Sequence, residues 1–161
     1  MKNTIYLETT IFSYLTSRPS KNIVAAAWQQ LTYDWWTSQK DKFDLYISEL
    51  VVAEAERGDP EAAERRLAQI HKLPALSITE EAIAFADKLV KQGAVPVKAA
   101  DDAMHIAVAA THGIDYLLTW NCRHIDNAEA KPLIRQVCNE SGYESPEICT
   151  PQELTGGNDD E

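Results

Sequence analysis

Residues 98–127, KAADDAMHIAVAATHGIDYLLTWNCRHIDN, constrain this chain more than any other stretch, because a helix, its terminator and a buried strand follow one another without a gap. From Asp102 onward Ala103, Ile106, Ala107 and Ala110 recur at helical spacing, and Gly113 stands where a left-handed residue ends a helix. The run Asp115-Tyr116-Leu117-Leu118-Thr119-Trp120 is short and mostly apolar, and the polar Asn121-Cys122-Arg123-His124 follows at once. Such a strand is covered by helices on both faces, as in a parallel sheet. Ligands in open α/β sheets collect outside the carboxyl ends of the strands, which is where the polar exit falls.

The rest of the chain repeats the theme. Thr4 to Leu7 reads as a buried strand, and Glu8-Thr9-Thr10 as its polar exit, with a threonine hydroxyl available to cap a helix from Ile11. A helix is expected over 22–39 with Val24, Trp28, Leu31 and Trp35 inward; Trp35 and Trp36 diverge by about 100° and do not share one core. A strand over 43–47 leads to Ser48 as an N-cap, a helix over 49–57 and Gly58 as its stop. Asp59-Pro60 restarts a helix towards His71, with Glu61, Glu64, Arg65 and Arg66 as its solvated face. A weak strand over 74–78, a Thr79-capped helix over 80–92, a helix over 128–141 and a last strand over 147–150 complete the order. This alternation indicates an α/β fold with a mainly parallel sheet. Residues 1–154 are expected to form a single domain, and 155–161 an acidic, disordered tail.

The net charge of -10 excludes an indiscriminate nucleic-acid binder, since phosphate contacts come from Lys and Arg, but it leaves room for acids gathered at a cation site. Cys122, Cys138 and Cys149 form no paired Cys-x-x-Cys motif, so reduced thiols are expected; a zinc site built on Cys122 and His124 has only one close ligand pair. The chain carries no secretory signal pattern and no apolar run long enough to span a membrane, which leads to the expectation of a cytoplasmic location without membrane attachment.

Three distant acids fall near strand ends: Glu8 after the first strand, Glu54 beside an apolar helical face, and Asp102 at a helix start. Two carboxylates about 4 Å apart repel by roughly 4 kcal/mol at an effective dielectric of 20, so a shared cleft demands a proton or a cation. Oxygen-only ligation suits Mg²⁺ or Mn²⁺. Taken one at a time, each acid is also compatible with a capping or solvated role. Asp101 aligns at i+4 with His105 and reads as a first-turn acid, whereas Asp102 aligns with Ile106 on the core side. His105 is either a general base or a hydrogen-bonded helix histidine. Thr9, Thr119, Arg123 and His124 are candidates for substrate contact, with capping or surface roles as the alternative. No Ser, Cys and His spacing suggests a covalent nucleophile, so water is the expected attacker.

Together, Tyr6-Leu7-Glu8-Thr9-Thr10-Ile11, Ser48-Glu49-Leu50-Val51-Val52-Ala53-Glu54, Asp102-Ala103-Met104-His105-Ile106-Ala107 and Leu118-Thr119-Trp120-Asn121 resemble the PIN-domain family, especially single-domain bacterial toxins of the VapC type. The resemblance spans nearly the whole chain. It implies a three-layer α/β/α sandwich and a Mg²⁺- or Mn²⁺-dependent endoribonuclease, commonly a homodimer inhibited by a small antitoxin protein. It places the family's acids on Glu8, Glu54 and Asp102, and its fourth, more variable metal position on Asn121. Two positions depart from the pattern: Glu8 stands where Asp is usual, one methylene longer, and Asn121 offers a neutral oxygen where an acid is common. A PIN-like module that binds RNA or protein with little or no turnover is the competing reading, and a metal phosphohydrolase for small substrates a third.

Overall fold

The computed structural model describes residues 1–156. A parallel sheet runs through its centre, with strands β1 (Thr4–Leu7), β2 (Asp44–Ser48), β3 (Ala75–Leu76), β4 (Tyr116–Leu118) and β5 (Glu147–Cys149) in the spatial order β3-β2-β1-β4-β5. β1 pairs in parallel with β2 through Ile5↔Leu45 and with β4 through Tyr6↔Leu117. The chain therefore builds outward from β1 to β3, then crosses back to place β4 on the other side of β1. That reversal opens a crevice between the carboxyl ends of β1 and β4.

Seven helices connect the strands among the described residues: α1 (Thr9–Thr16), α2 (Ile23–Ser38), α3 (Glu49–Ala55), α4 (Pro60–Ile70), α5 (Glu80–Lys91), α6 (Ala100–Thr111) and α7 (Lys131–Glu140). α1 packs against α2, α3 and α4, and α5 packs against α6 and α7, giving the α/β/α sandwich. Among the described residues no helix is long and apolar enough to cross a membrane.

Several termini follow from local chemistry. Ser48 accepts from the Val51 N–H, Asp59 from Ala62 and Thr79 from Ala82, each satisfying an otherwise orphaned first-turn donor. Gly113 adopts a φ of 69°, which lets α6 stop and the chain turn into β4. The last helix begins at Lys131 and not at 128, because the Asn127 side chain accepts from the N–H groups of Glu129 and Ala130 and holds them in a turn.

Three expectations are corrected. The cap of α1 is the carboxylate of Glu8, which accepts from the Thr10 N–H, and not a threonine hydroxyl. The first turn of α2 lies outside the core: Val24 is 58 % exposed, while Trp35 is buried and donates its indole N–H to the Leu154 carbonyl. Arg65 and Arg66 are not merely solvated. Arg65 donates to the Thr16 carbonyl, and Arg66 donates to the carbonyls of Ala55 and Arg57, closing the end of the short α3. The expected acidic tail falls largely on residues 157–161, outside the described residues.

α6 is the most buried helix of the set, enclosed at Ala103, His105, Ile106, Ala107, Val108, Ala109 and Ala110. An apolar face was expected; burial extends around nearly the whole helix and takes His105 with it. Because Arg66 satisfies the last carbonyls of the helix that carries Glu54, Arg66→Ala is expected to cost about 1–3 kcal/mol. Thermal unfolding checks this, and at about 2–4 °C per kcal/mol the midpoint falls by several degrees.

Candidate functional site

Glu8 leaves β1 at the crevice and is only 4 % exposed. Its backbone N–H donates to the Leu118 carbonyl at 3.1 Å, continuing the β1–β4 pairing one residue beyond the strand. Its Oε1 accepts from the hydroxyls of Thr10 (2.5 Å) and Thr119 (2.6 Å), and its Oε2 from the Thr10 N–H (3.1 Å). The extra methylene of glutamate is thus absorbed by folding the carboxylate back over the start of α1.

Glu54 projects from α3 into the same crevice. Its Oε1 takes two donors, the Thr9 hydroxyl at 2.6 Å and Nε2 of His105 at 2.5 Å. Burial works against its charge, but the His105 hydrogen bond and charge, with help from Thr9 and Arg57, outweigh it and hold the carboxyl below its usual range. His105 responds in the opposite sense: burial disfavours its charged form, yet Glu54, Glu8 and Asp102 together raise its proton affinity. Its Nδ1 lies 2.6 Å from the Tyr6 hydroxyl, which lies 2.7 Å from the Ser48 hydroxyl. Burial keeps the Tyr6 phenol firmly protonated.

Asp102, in the first turn of α6, is half-buried, and burial raises its proton affinity against the opposing pull of the Asn121 amide, His105 and His124. Asp101 instead faces out and pairs loosely with Arg57 at 3.8 Å.

The three acids are not equivalent. Ligand atoms of Glu8, Glu54 and His105 lie within 4.8 Å of one another, whereas Asp102 stands outside this closest group. Asn121, expected as a weaker metal position, has its oxygen engaged by the backbone. Its Oδ1 accepts from the N–H groups of Arg123 (3.2 Å) and His124 (3.0 Å), so the oxygen faces the backbone and the NH₂ faces Asp102. Thr9 and Thr119 give their hydroxyl protons to Glu54 and Glu8, and so hold the acids in place. Arg123 is exposed, and His124 is half-buried beside Asp102. The cysteines are free, and none belongs to a close metal-binding group among the described residues.

Of the two expectations for His105, the structure shows the hydrogen-bonded helix histidine; what sequence reasoning did not give is its partners, Glu54 on one side and Tyr6 with Ser48 on the other. The usable signal was its position three residues after Asp102, since i and i+3 share a helix face as surely as i and i+4.

The residues fit a hard divalent cation. Among the described residues no Lys or Arg forms an ion pair with Glu8, Glu54 or Asp102; their partners are hydroxyls, an amide, a backbone N–H and one imidazole. Glu54 Oε2 makes no hydrogen bond within the described residues, and Oε2 of Glu8 accepts one where a carboxylate oxygen has room for about two. These oxygens and the Asp102 carboxylate form the set that would hold Mg²⁺ or Mn²⁺.

The PIN-domain family model matches residues 5–129, and the chain belongs to that family. None of the curated proteins matches it. Solved structures that share its fold include the VapBC2 complex of Rickettsia felis bound to a DNA fragment from its promoter, the sarcin-ricin-loop-cleaving toxin VapC20 of Mycobacterium tuberculosis, and DNA-bound VapBC of Salmonella typhimurium. The Rickettsia match has 13 % identity, covers 91 % of this chain and 98 % of the other, and has a TM-score of 0.58. The Mycobacterium match has 18 % identity over 74 % and 92 %, with a TM-score of 0.58. The Salmonella match has 17 % identity over 94 % and 99 %, with a TM-score of 0.53.

Three outcomes are expected, the first and third of them of the metal-free protein. Since the fold raises the proton affinity of Asp102, its charged form costs stability at neutral pH; Asp102→Asn in EDTA should raise the unfolding midpoint, by about 2–4 °C per kcal/mol relieved. Mn²⁺ should then raise the midpoint of the wild type and leave that of the variant nearly unchanged. The Glu54–His105 pair also sets a pH profile. The histidine's contribution is complete below its usual value of 6.5 and is lost as pH rises through its raised value. The glutamate's contribution is complete above its usual value of 4.5 and is lost as pH falls through its lowered value. Denaturant titrations between pH 4 and pH 9, about the span of the two transitions, should show a stability maximum between the usual values that flattens in Glu54→Gln.

Proposed function

We propose that the protein is a Mg²⁺- or Mn²⁺-dependent endoribonuclease, the toxin half of a toxin-antitoxin pair acting in the cytoplasm, with residues 1–154 as a single domain. The observation that carries this reading is the meeting of Glu8 and Glu54 with His105 at the β1–β4 crevice, Asp102 half-buried beside them and no Lys or Arg paired to the three acids among the described residues, in a chain of the PIN family. When bound, the divalent ion supplies the positive charge that offsets the carboxylates and the developing phosphate charge, and it acidifies water.

The chain's own residues do the rest. Glu8, Glu54 and Asp102 would hold the ion, the first two through carboxylates whose positions Thr10, Thr119, Thr9 and His105 fix. Asp102, whose surroundings favour a proton, takes one from the attacking water while the Asn121 amide steadies it. The water oxygen bonds to phosphorus as the bond to the 3′-oxygen breaks, leaving a 5′-phosphate and a 3′-hydroxyl protonated from solvent. Arg123, exposed after Asn121, and His124, beside Asp102, would contact RNA phosphate.

An antitoxin protein partner is supported by the VapBC complexes among the structures of like fold. A homodimer belongs to the same reading; Ile83 and Val97, 52 % and 79 % exposed, flank a cavity of about 500 Å³ between α5 and α6 that another copy would cover.

The competing reading, a binding module with little turnover, draws on Asn121, whose oxygen is committed to the backbone and adds no charge to the site. The deciding experiment incubates the protein with structured RNAs, including a sarcin-ricin hairpin, in Mg²⁺, Mn²⁺ or EDTA. Cleavage by the wild type that EDTA abolishes and Asp102→Asn lowers about a hundredfold or more is the expected result. Cleavage that survives both sinks the proposed site. Activity that appears only in Glu8→Asp with Asn121→Asp favours the binding module.

A further inference from the structure

We infer that His105 is a positioning residue that makes Glu54 a single-oxygen ligand: a closed hydrogen-bonded ring through Tyr6 and Ser48 holds its imidazole against Glu54 Oε1 and leaves Oε2 alone facing the crevice. The inference rests on the metal-dependent reading above; it deepens the part His105 plays there and adds a role for Tyr6 and Ser48, which that reading does not use.

The donors can be assigned from elementary hydrogen-bond capacity. Oε1 of Glu54 accepts from the Thr9 hydroxyl at 2.6 Å and lies 2.5 Å from Nε2 of His105, so Nε2 is its second donor. The other ring nitrogen is 2.6 Å from the Tyr6 hydroxyl. Both nitrogens are therefore engaged, and His105 is fully buried. The imidazole has neither a free lone pair for a metal nor a path to a substrate proton, although its ligand atoms lie within 4.8 Å of those of Glu8 and Glu54.

The ring returns to its starting helix. Tyr6 meets Ser48 at 2.7 Å, and Ser48 accepts from the Val51 N–H as the N-cap of α3, the helix that carries Glu54 six residues further on. Three elements are tied at one carboxylate: β1 through Tyr6, α6 through His105 and α3 at both of its ends. The Thr9 hydroxyl occupies Oε1 as well. With two donors on one oxygen, rotation of the carboxylate to present both oxygens would break both contacts. A buried histidine that merely satisfied its own hydrogen bonds would need no such closure onto the acid's own helix.

The test compares wild type, His105→Gln, His105→Leu and Tyr6→Phe by Mn²⁺ affinity, read from free-Mn²⁺ electron paramagnetic resonance, with circular dichroism and thermal unfolding as controls. Glutamine keeps an N–H near the place of Nε2, and leucine keeps only the bulk. His105→Leu is expected to weaken Mn²⁺ binding about 10–100-fold, the size of effect typical of lost support behind a ligand, and His105→Gln to remain within about threefold of wild type. Tyr6→Phe, which leaves the imidazole in place but cuts the ring, should weaken binding by about threefold to tenfold. Electron spin-echo spectra of the Mn²⁺-loaded wild type should show no directly coordinated nitrogen.

Folded His105→Leu with wild-type affinity overturns the inference. If that variant does not fold, wild-type affinity in Tyr6→Phe overturns it equally. A coordinated nitrogen that disappears in His105→Gln overturns it by making His105 a ligand. Mn²⁺ affinity that tracks His105 in a protein that cleaves no RNA upholds the positioning role and sinks the ribonuclease reading alone.

Discussion

Two carboxylates, Glu8 and Glu54, share the crevice between β1 and β4 with no Lys or Arg paired to either among the described residues, and the surrounding structure is organised to hold that charge. At about 4 Å such a pair repels by roughly 4 kcal/mol in a partly polar setting. The fold answers with neutral donors and one imidazole: Thr10 and Thr119 on Glu8, Thr9 and His105 on Glu54. Hydroxyls stabilise a carboxylate without cancelling its charge. At Glu8 the charge is therefore held by hydroxyls and a backbone N–H alone, and at Glu54 it is shared with His105.

The parts of this arrangement legible in the sequence are those fixed by local physics. β1, the Ser48 cap, the Asp59-Pro60 start and the Gly113 stop follow from rules that act over a few residues, and each is where those rules place it. From the alternation of elements a parallel sheet follows, and from the sheet the crevice at its carboxyl ends. Glu8 was visible because it ends a strand, and Glu54 because it lies beside an apolar helical face. Their strand-end positions already grouped these acids with Asp102 around a cation; the resemblance to the PIN family added what no local rule could, the expectation of ribonuclease activity and of Asn121 as a fourth position.

The contacts that orient the acids were not legible, because they join residues far apart in the chain. Tyr6 meets His105 across 99 positions and Thr119 meets Glu8 across 111. A tyrosine within an apolar strand and a serine before a helix have sufficient local explanations, and those explanations hide their second role. Asn121 shows the same limit differently. Its side chain was read as an oxygen donor to metal, but the nearby N–H groups of Arg123 and His124 claim that oxygen and turn the amide towards Asp102.

The strand exit after β4 is also fixed from behind. The Trp120 N–H donates to the Thr10 hydroxyl, the same hydroxyl that donates to Glu8, and the Trp120 indole donates to Thr32 on α2. Trp28 stacks on Trp120 with ring centroids 4.7 Å apart, and Tyr14 packs edge-on against both. Thr10 is thus oriented by a backbone donor on one side and a carboxylate acceptor on the other, and the aromatic stack ties that geometry to α1 and α2. Shifting the stack by a fraction of an ångström would misalign the Thr10 hydroxyl before it touched any acid. A substitution at Trp28 would then reach the crevice through Trp120 and Thr10, which is how packing distant from a charged site can set the site's geometry.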